Sequence, residues 1–182
     1  MRAYSPRSVE RRRTWFAGPS AGAGGPTLRL ARAEDAAFLE ALFRSARAGQ
    51  FAQAGLSPSM IDALLGQQYR LQTAGYAAQF PDATSLLIER AGEPVGRLLL
   101  ACRADHWHVV DVALLAAQRG QGVGTAVVGA VAAAARAQGA QALTLAVMST
   151  NVAARRFYRR AGFVEVGAAV GTHLAMRLAL VT

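Results

Sequence analysis

The residues with the clearest chemical potential lie between Asp111 and Ala137. Val109 to Leu115 is a short, nearly unbroken apolar run, which suits a buried strand. Arg119 to Gly124 is a turn with glycines at alternate positions, Gly120, Gly122 and Gly124. Thr125 to Gln138 is rich in Ala and Val and contains no Pro. Val127, Val128, Val131 and Ala135 fall on one helical stripe there, and Gly139 sits where a C-terminal stop belongs. Strand, glycine turn and helix together make an anion-binding device. The helix start presents unpaired backbone N–H groups and the positive end of its dipole, and glycine lets the backbone approach a bulky phosphate. Two common nucleotide motifs fail on stated residues. A P-loop needs a lysine, and all twenty basic residues of this chain are Arg. A Rossmann turn needs a third glycine and an acid roughly 20 residues on. Thr125 stands at the third glycine's position, and no Asp or Glu occurs between Asp111 and Glu165.

The segment Arg119-Gly120-Gln121-Gly122-Val123-Gly124 resembles the pyrophosphate-binding turn of the GNAT family of N-acetyltransferases. That turn reads Arg or Gln, two free positions, Gly, one free position, Gly or Ala. Downstream, Asn151, Ala154, Phe157, Tyr158, Gly162 and Phe163 match the spacing of a second segment of that family. The 26 residues between Gly124 and Asn151 hold a helix, a turn and one strand, as the family requires. The resemblance runs from about Thr27 to the C-terminus. It implies an α/β (α+β) fold with a mixed, splayed central sheet flanked by helices. It also implies acetyl-CoA as cosubstrate and transfer to a primary amine by direct attack in a ternary complex. No metal is expected. One departure is Ala116, where a proline usually follows the strand; this should loosen the turn without changing the chemistry.

Amine acetylation requires an enzyme to hold the thioester, supply a neutral amine, stabilise the oxyanion and protonate the leaving thiolate. The resemblance assigns the pyrophosphate to N–H groups from Gln121 through Val123 and Gly124 to Thr125, with Gly120 in the same turn. Arg119 is placed to add charge-assisted bonds to phosphates. Val112, Ala113 and Leu114 would bind the pantetheine arm through main-chain atoms, as an added strand would. Asn151 and Ala154 belong to the second cofactor-contacting segment, and Tyr158 stands at the family's general-acid position. A phenol remains protonated at neutral pH and can donate to a thiolate; the alternative is a tyrosine that only packs against the cofactor. The general base is open. The resemblance implies a Glu or a His on the central strand about four residues before the pantetheine-binding backbone; counting back from Val112 gives His108, whose neutral imidazole suits accepting an ammonium proton. Asp111 is the rival, a carboxylate inside an apolar strand that needs a partner. The two differ by an odd number of positions, so a regular strand would point them to opposite faces unless a bulge intervenes. His106 shares the His108 face in a regular strand, and His173 has no assigned role.

The elements that must position these groups are legible in order. Residues 1–26 read as a disordered Arg- and Gly-rich tail, and 27–182 as one acetyltransferase domain. Five arginines and Glu10 give the tail +4 of the net charge of +9. The Arg11–Arg13 run ahead of Trp15 and Phe16 superficially resembles an export signal, but no apolar region follows it. Strands are expected over Thr27–Ala31, Thr84–Glu89, Val95–Arg103, His106–Leu115, Ala142–Met148, Val164–Ala168 and His173–Leu180. Helices are expected from Ala33, from Pro58 to about Gln79, over Thr125–Gln138, and from Asn151 through Ala161. In the family, the first two helices cover the acceptor pocket. Met60, Ile61, Leu64, Leu65, Tyr69, Leu71 and Tyr76 form the apolar membership of the second.

Composition bounds the rest. Hydrophobic content of 53% suffices for a core, and no apolar run reaches the roughly 18 residues of a membrane span. One cysteine, Cys102, forms no internal disulfide, so nothing suggests a secreted, stapled protein, and a cytoplasmic location is expected. The basic surface suits a polyanion such as CoA. Nucleic acid is disfavoured, because the Arg155–Arg160 cluster is not interleaved with a stripe of aromatics. Among acids near the acceptor, only Asp62 and Asp82 are candidates, which does not favour a strongly cationic substrate. A catalytically inactive CoA-binding sensor is the alternative function. The resemblance alone implies a homodimer.

Overall fold

The three-dimensional structure, a computed structural model, describes residues 25–51, 54–167 and 171–180. The expected tail, with Trp15 and Phe16, lies outside the described residues but for positions 25 and 26. Seven strands form one sheet: β1 (Thr27–Leu30), β2 (Ala83–Arg90), β3 (Glu93–Cys102), β4 (His106–Leu114), β5 (Ala142–Met148), β6 (Val164–Glu165) and β7 (His173–Ala179). Their order is β1-β2-β3-β4-β5-β7-β6. Every neighbouring pair is antiparallel except β4 with β5. The helices are α1 (Ala36–Arg47), α2 (Pro58–Gln79), α3 (Val123–Ala137) and α4 (Val152–Arg160). This is the mixed sheet with flanking helices that the sequence predicts.

Local chemistry explains the connections. Ala91 and Gly92 both have positive φ (53° and 83°), the geometry that a two-residue β2–β3 hairpin demands. Parallel strands cannot be joined by a tight turn, so β4 and β5 are linked through α3. Ser57 caps α2 by accepting from Met60 N, with Pro58 at the first helical position. Before α1, the carboxylate of Asp35 is buried and accepts from Nη1 and Nη2 of Arg29 (2.7 and 2.8 Å) and from Arg32 N (2.7 Å). Arg29 also donates from Nε to Glu89 of β2. One guanidinium thus ties the α1 entry to the sheet.

Two features of β4 decide the shape of the site. Opposite β3, Leu100 faces Val109 while Leu99 faces Asp111, so Val110 is an extra residue, a β-bulge. On its other edge, β4 pairs with β5 only over His106–Val109 against Ala142–Leu145. Beyond that, β4 continues on β3 to Leu114 and β5 continues on β7 to Met148. The two halves of the sheet therefore part at the bulge, and the β4 edge over Val112–Leu114 has no strand beside it.

One face of the sheet carries the main core. Trp107, Val109, Leu143, Leu145, Val147 and Met176 pack there with Val127, Val128, Val131 and Ala135 of α3 and with Tyr158 and Phe163. The α3 stripe is the one the sequence predicts. The other face receives α1, which packs across β3 and β4, and the end of α2. The apolar membership expected for α2 is only partly buried: Leu65 is enclosed, but Met60, Leu64 and Leu71 are exposed, Leu71 at 65%. Strand β6 stops at Glu165, earlier than expected; Gly167 at φ 73° breaks the extended run, and Ala168 lies outside the described residues. No helix among the described residues is long and apolar enough to cross a membrane.

Candidate active site

The glycine turn is built as an anion cradle. Gly120 and Gly122 have φ of 73° and 77°, and Gly122 serves as the cap of α3. The helix consequently starts at Val123, two residues earlier than the sequence predicts. The Gly122 carbonyl accepts from Ala126 N (3.0 Å), closing the first turn. Among the described residues, no backbone acceptor meets the N–H groups from Gly120 through Thr125, and no side chain caps α3. A Cβ at Gly120 or Gly122 would point into open space. The run of unpaired donors at a helix start is what a pyrophosphate needs. Gly124 has a different reason to be glycine. It lies inside the first helical turn, and a Cβ there would sit 3.3 Å from Phe157 Cζ. The side chain of Gln121 turns away from the cradle to the Ala117 carbonyl and Arg90.

Beside the cradle lies a cleft of about 410 Å³. Its walls include Val112, Ala113 and Leu114 of β4, Asp111, Arg119 and Asn151. The opposite wall is α1, through Leu39, Leu42, Phe43, Ala46 and Arg47, with Gln72 of α2 and Arg97 of β3. Arg119 donates from Nε to the Leu114 carbonyl (3.1 Å), fixing the turn against the strand end. Asn151 caps α4 by accepting from Ala154 N (3.0 Å). Six of the expected site residues thus surround one cleft. His108 and Tyr158 are not on its walls.

The bulge revises the expected geometry of the two candidate bases. His108 pairs with Ala101 and Asp111 with Leu99, and those partners are two apart on β3. His108 and Asp111 therefore share a face, roughly 7 Å apart along the strand. Asp111 is not a lone carboxylate: it accepts from Arg97 Nη2 at 2.8 Å. Arg97 lies 5.9 Å from the Tyr76 ring centroid, and its Nε is buried without a partner among the described residues. His108 stacks on Phe80 (5.4 Å, 17°). Its Nδ1 is 2.9 Å from Thr144 Oγ1, which donates onward to the Trp107 carbonyl (3.3 Å). That chain assigns the Nδ1–H tautomer and leaves Nε2 with its lone pair. Burial, and then the nearby Arg103 and His106, hold the His108 imidazole below its ordinary pKa, so it is neutral at pH 7.

Tyr158 sits in the core, packed against Phe157 and Phe163 at centroid distances of 5.0 and 5.4 Å. Burial first, and the Asp111 charge second, push its hydroxyl up to about 12. Burial first, and the Asp111 charge second, also raise Tyr76. Tyr158 is therefore protonated throughout the working range, but it is a weaker acid than an exposed phenol.

Arg97, Arg47 and Gln72 were not predicted. Arg97 had a signal: a cation inside the apolar run Val95–Cys102, matched by the carboxylate of Asp111 in the following strand. Arg47 and Gln72 had none, because only the packing of α1 and α2 brings them to the cleft. Asp62, an expected acceptor-side acid, is exposed and pairs with Arg44 (2.6 Å). On α4, Arg155 and Arg159 both donate to Glu165 (2.9 and 2.8 Å), which leaves that face less available to a polyanion. Among the described residues no cluster of His, Cys, Asp or Glu could hold a metal ion.

Comparison with known proteins agrees with this geometry. Residues 56–163 match the model of the Acetyltransferase (GNAT) family. Among solved structures, the chain is similar to a PaiA N-acetyltransferase from Thermoplasma acidophilum in complex with coenzyme A. That match has 18% identity, 85% of this chain, 99% of that one and a TM-score of 0.63. An acetyltransferase from Thermus thermophilus matches at 20% identity over 85% and 97% of the two chains, TM-score 0.62. A GCN5-related N-acetyltransferase from Rhodopseudomonas palustris matches at 25% identity over 85% and 96%, TM-score 0.58. No curated protein matches.

Proposed function

Because this chain belongs to the GNAT family and is an N-acetyltransferase, we propose that it moves the acetyl group of acetyl-CoA directly to a primary amine in a ternary complex. The catalytic domain is residues 27–182. The observation that carries the reading is the run of unpaired N–H groups from Gly120 through Thr125, opening beside the free β4 edge and the cleft.

The cradle and Arg119 would hold the phosphates, and the main chain of Val112–Leu114 the pantetheine arm. Asn151, held by its bond to Ala154 N, lies at the cleft wall beside them. Acetyl-CoA supplies an already activated thioester. His108 Nε2 accepts the ammonium proton, through water because His108 stands off the cleft wall. Asp111, ion-paired with Arg97, orients the amine from the same strand face. Tyr158, which likewise stands off the cleft wall, donates its proton toward the departing sulfur through water, and its burial keeps that proton in place until then. The test is release of CoA thiol against a panel of amines. Thiol release that depends on an amine supports the reading. Tight acetyl-CoA binding with no release on any amine would leave the inactive CoA-binding module instead.

A further inference from the structure

The charged groups on the cleft wall are three guanidiniums, Arg47, Arg97 and Arg119, and one carboxylate, Asp111. Asp111 is engaged by Arg97 at 2.8 Å. Arg119 stands at the glycine turn, bonded to the Leu114 carbonyl, where the proposed phosphates bind. Arg47 remains. It ends α1, its guanidinium carbon lies 3.9 Å from the Phe43 ring centroid, and among the described residues no carboxylate pairs with it. The stacking on Phe43 fixes the plane of the guanidinium and, among the described residues, leaves its N–H donors unused, which preorganises it for a planar anion. A guanidinium on the wall of this cleft, with no carboxylate beside it among the described residues, can take a negatively charged group of a ligand. A cationic acceptor would meet the opposite: two arginines on the acceptor side and a single carboxylate already paired.

We infer that the acceptor is a small amine that also carries a carboxylate, an amino acid or close analogue, and that Arg47 binds this carboxylate. The proposal rests on the acetyl-transfer reading above and names its substrate class. The amine is then drawn to Asp111 on β4, and the carboxylate to Arg47 on α1, at opposite walls of one cleft. Arg47 is a specificity-determining residue in this scheme and takes no part in proton transfer.

The test uses the twenty standard amino acids, each paired with its α-amide, together with simple diamines. Calorimetry on the full chain saturated with CoA measures binding, and CoA-thiol release with acetyl-CoA measures turnover. At least one acid is expected to bind roughly 10- to 100-fold more tightly than its amide, the range for a hydrogen-bonded charge pair. Diamines should be poor ligands. Arg47→Met keeps a long side chain over Phe43 and removes the charge; it should erase the acid-over-amide preference and leave acetyl-CoA affinity unchanged. Arg47→Lys should restore part of the preference. Amides or diamines that bind as well as the acids, no binding of either member of any pair, or a preference that survives Arg47→Met would overturn the inference. A loss in Arg47→Met that falls on acetyl-CoA would assign Arg47 to the phosphates and overturn it as well. Carboxylate-selective binding without thiol release would sustain the charge inference while refuting acetyl transfer, so the two failures are distinct.

Discussion

If His108 is the general base, its removal has a specific signature in the pH–rate profile. The imidazole is half-buried, stacked on Phe80 and held by Thr144, and burial disfavours its cation. Arg103 and His106 add to that effect. The acidic limb of kcat/KM should therefore lie below the ordinary histidine value of about 6.5, with activity falling as pH drops and a plateau above. His108→Ala removes the acceptor lone pair and should lower turnover roughly 10²- to 10⁴-fold, about 3 to 5 kcal/mol in the barrier. The limb should vanish with it. Thr144→Val deletes the acceptor for Nδ1–H but keeps the shape; losing one hydrogen bond of about 1 kcal/mol predicts a drop of only about five- to tenfold, with the limb retained. Asp111→Asn should lower activity and also keep the limb. The assay is continuous chromogenic detection of CoA thiol from pH 5 to 9, with circular dichroism confirming that each variant is folded. A limb that persists in His108→Ala refutes the assignment. If it disappears in Asp111→Asn instead, the base is Asp111; if it survives both, the ionisation of the amine itself sets the profile.

Four further outcomes follow from the geometry. Tyr158→Phe keeps the ring against Phe157 and Phe163, so acetyl-CoA affinity should hold while turnover falls roughly 10²- to 10⁴-fold; unchanged turnover in single-turnover kinetics would make Tyr158 a packing residue. Gly122→Val puts a branched side chain where φ is 77° and the cradle opens, and calorimetry should show acetyl-CoA affinity lost at a strain cost of about 1–2 kcal/mol. Gly124→Val, which meets Phe157 at 3.3 Å, should instead show a clear fall in Tm. Asp35→Asn should cost about 1.5–3 kcal/mol in urea unfolding at pH 7, because the carboxylate accepts from Arg29 and Arg32 while buried. Arg29 holds this group at about 2, below its unfolded value, so its stabilisation is present above pH ~4 and is lost as pH falls toward 2; an acid transition identical in wild type and Asp35→Asn would refute that role.

Local pattern was enough for the strands, the α3 stripe and the glycine turn, because each depends on neighbours in the chain. Alternation places Leu143, Leu145 and Val147 inward, helical spacing places Val127, Val131 and Ala135 inward, and two glycines permit the positive φ of the cradle. The relation of His108 to Asp111 was different. Counting residues puts them on opposite faces, and only the register against β3, with Val110 bulged out, puts them on one. Nothing in the spacing of β4 marks that bulge, since it arises from pairing with residues on another strand. The exposed Leu71 of α2 likewise followed from how that helix packed, whereas the early start of α3 is local, set by Gly122 at φ 77°. Arg97 could be suspected from a cation in an apolar strand, but that it meets Asp111 is a matter of register. Arg47 became a wall of the cleft only when α1 crossed β3 and β4. Sequence determines which segments bury which side and which turns can bind an anion, because those are short-range consequences of backbone geometry. Which charges meet across the cleft is a long-range consequence of packing, and only the tertiary structure decided it.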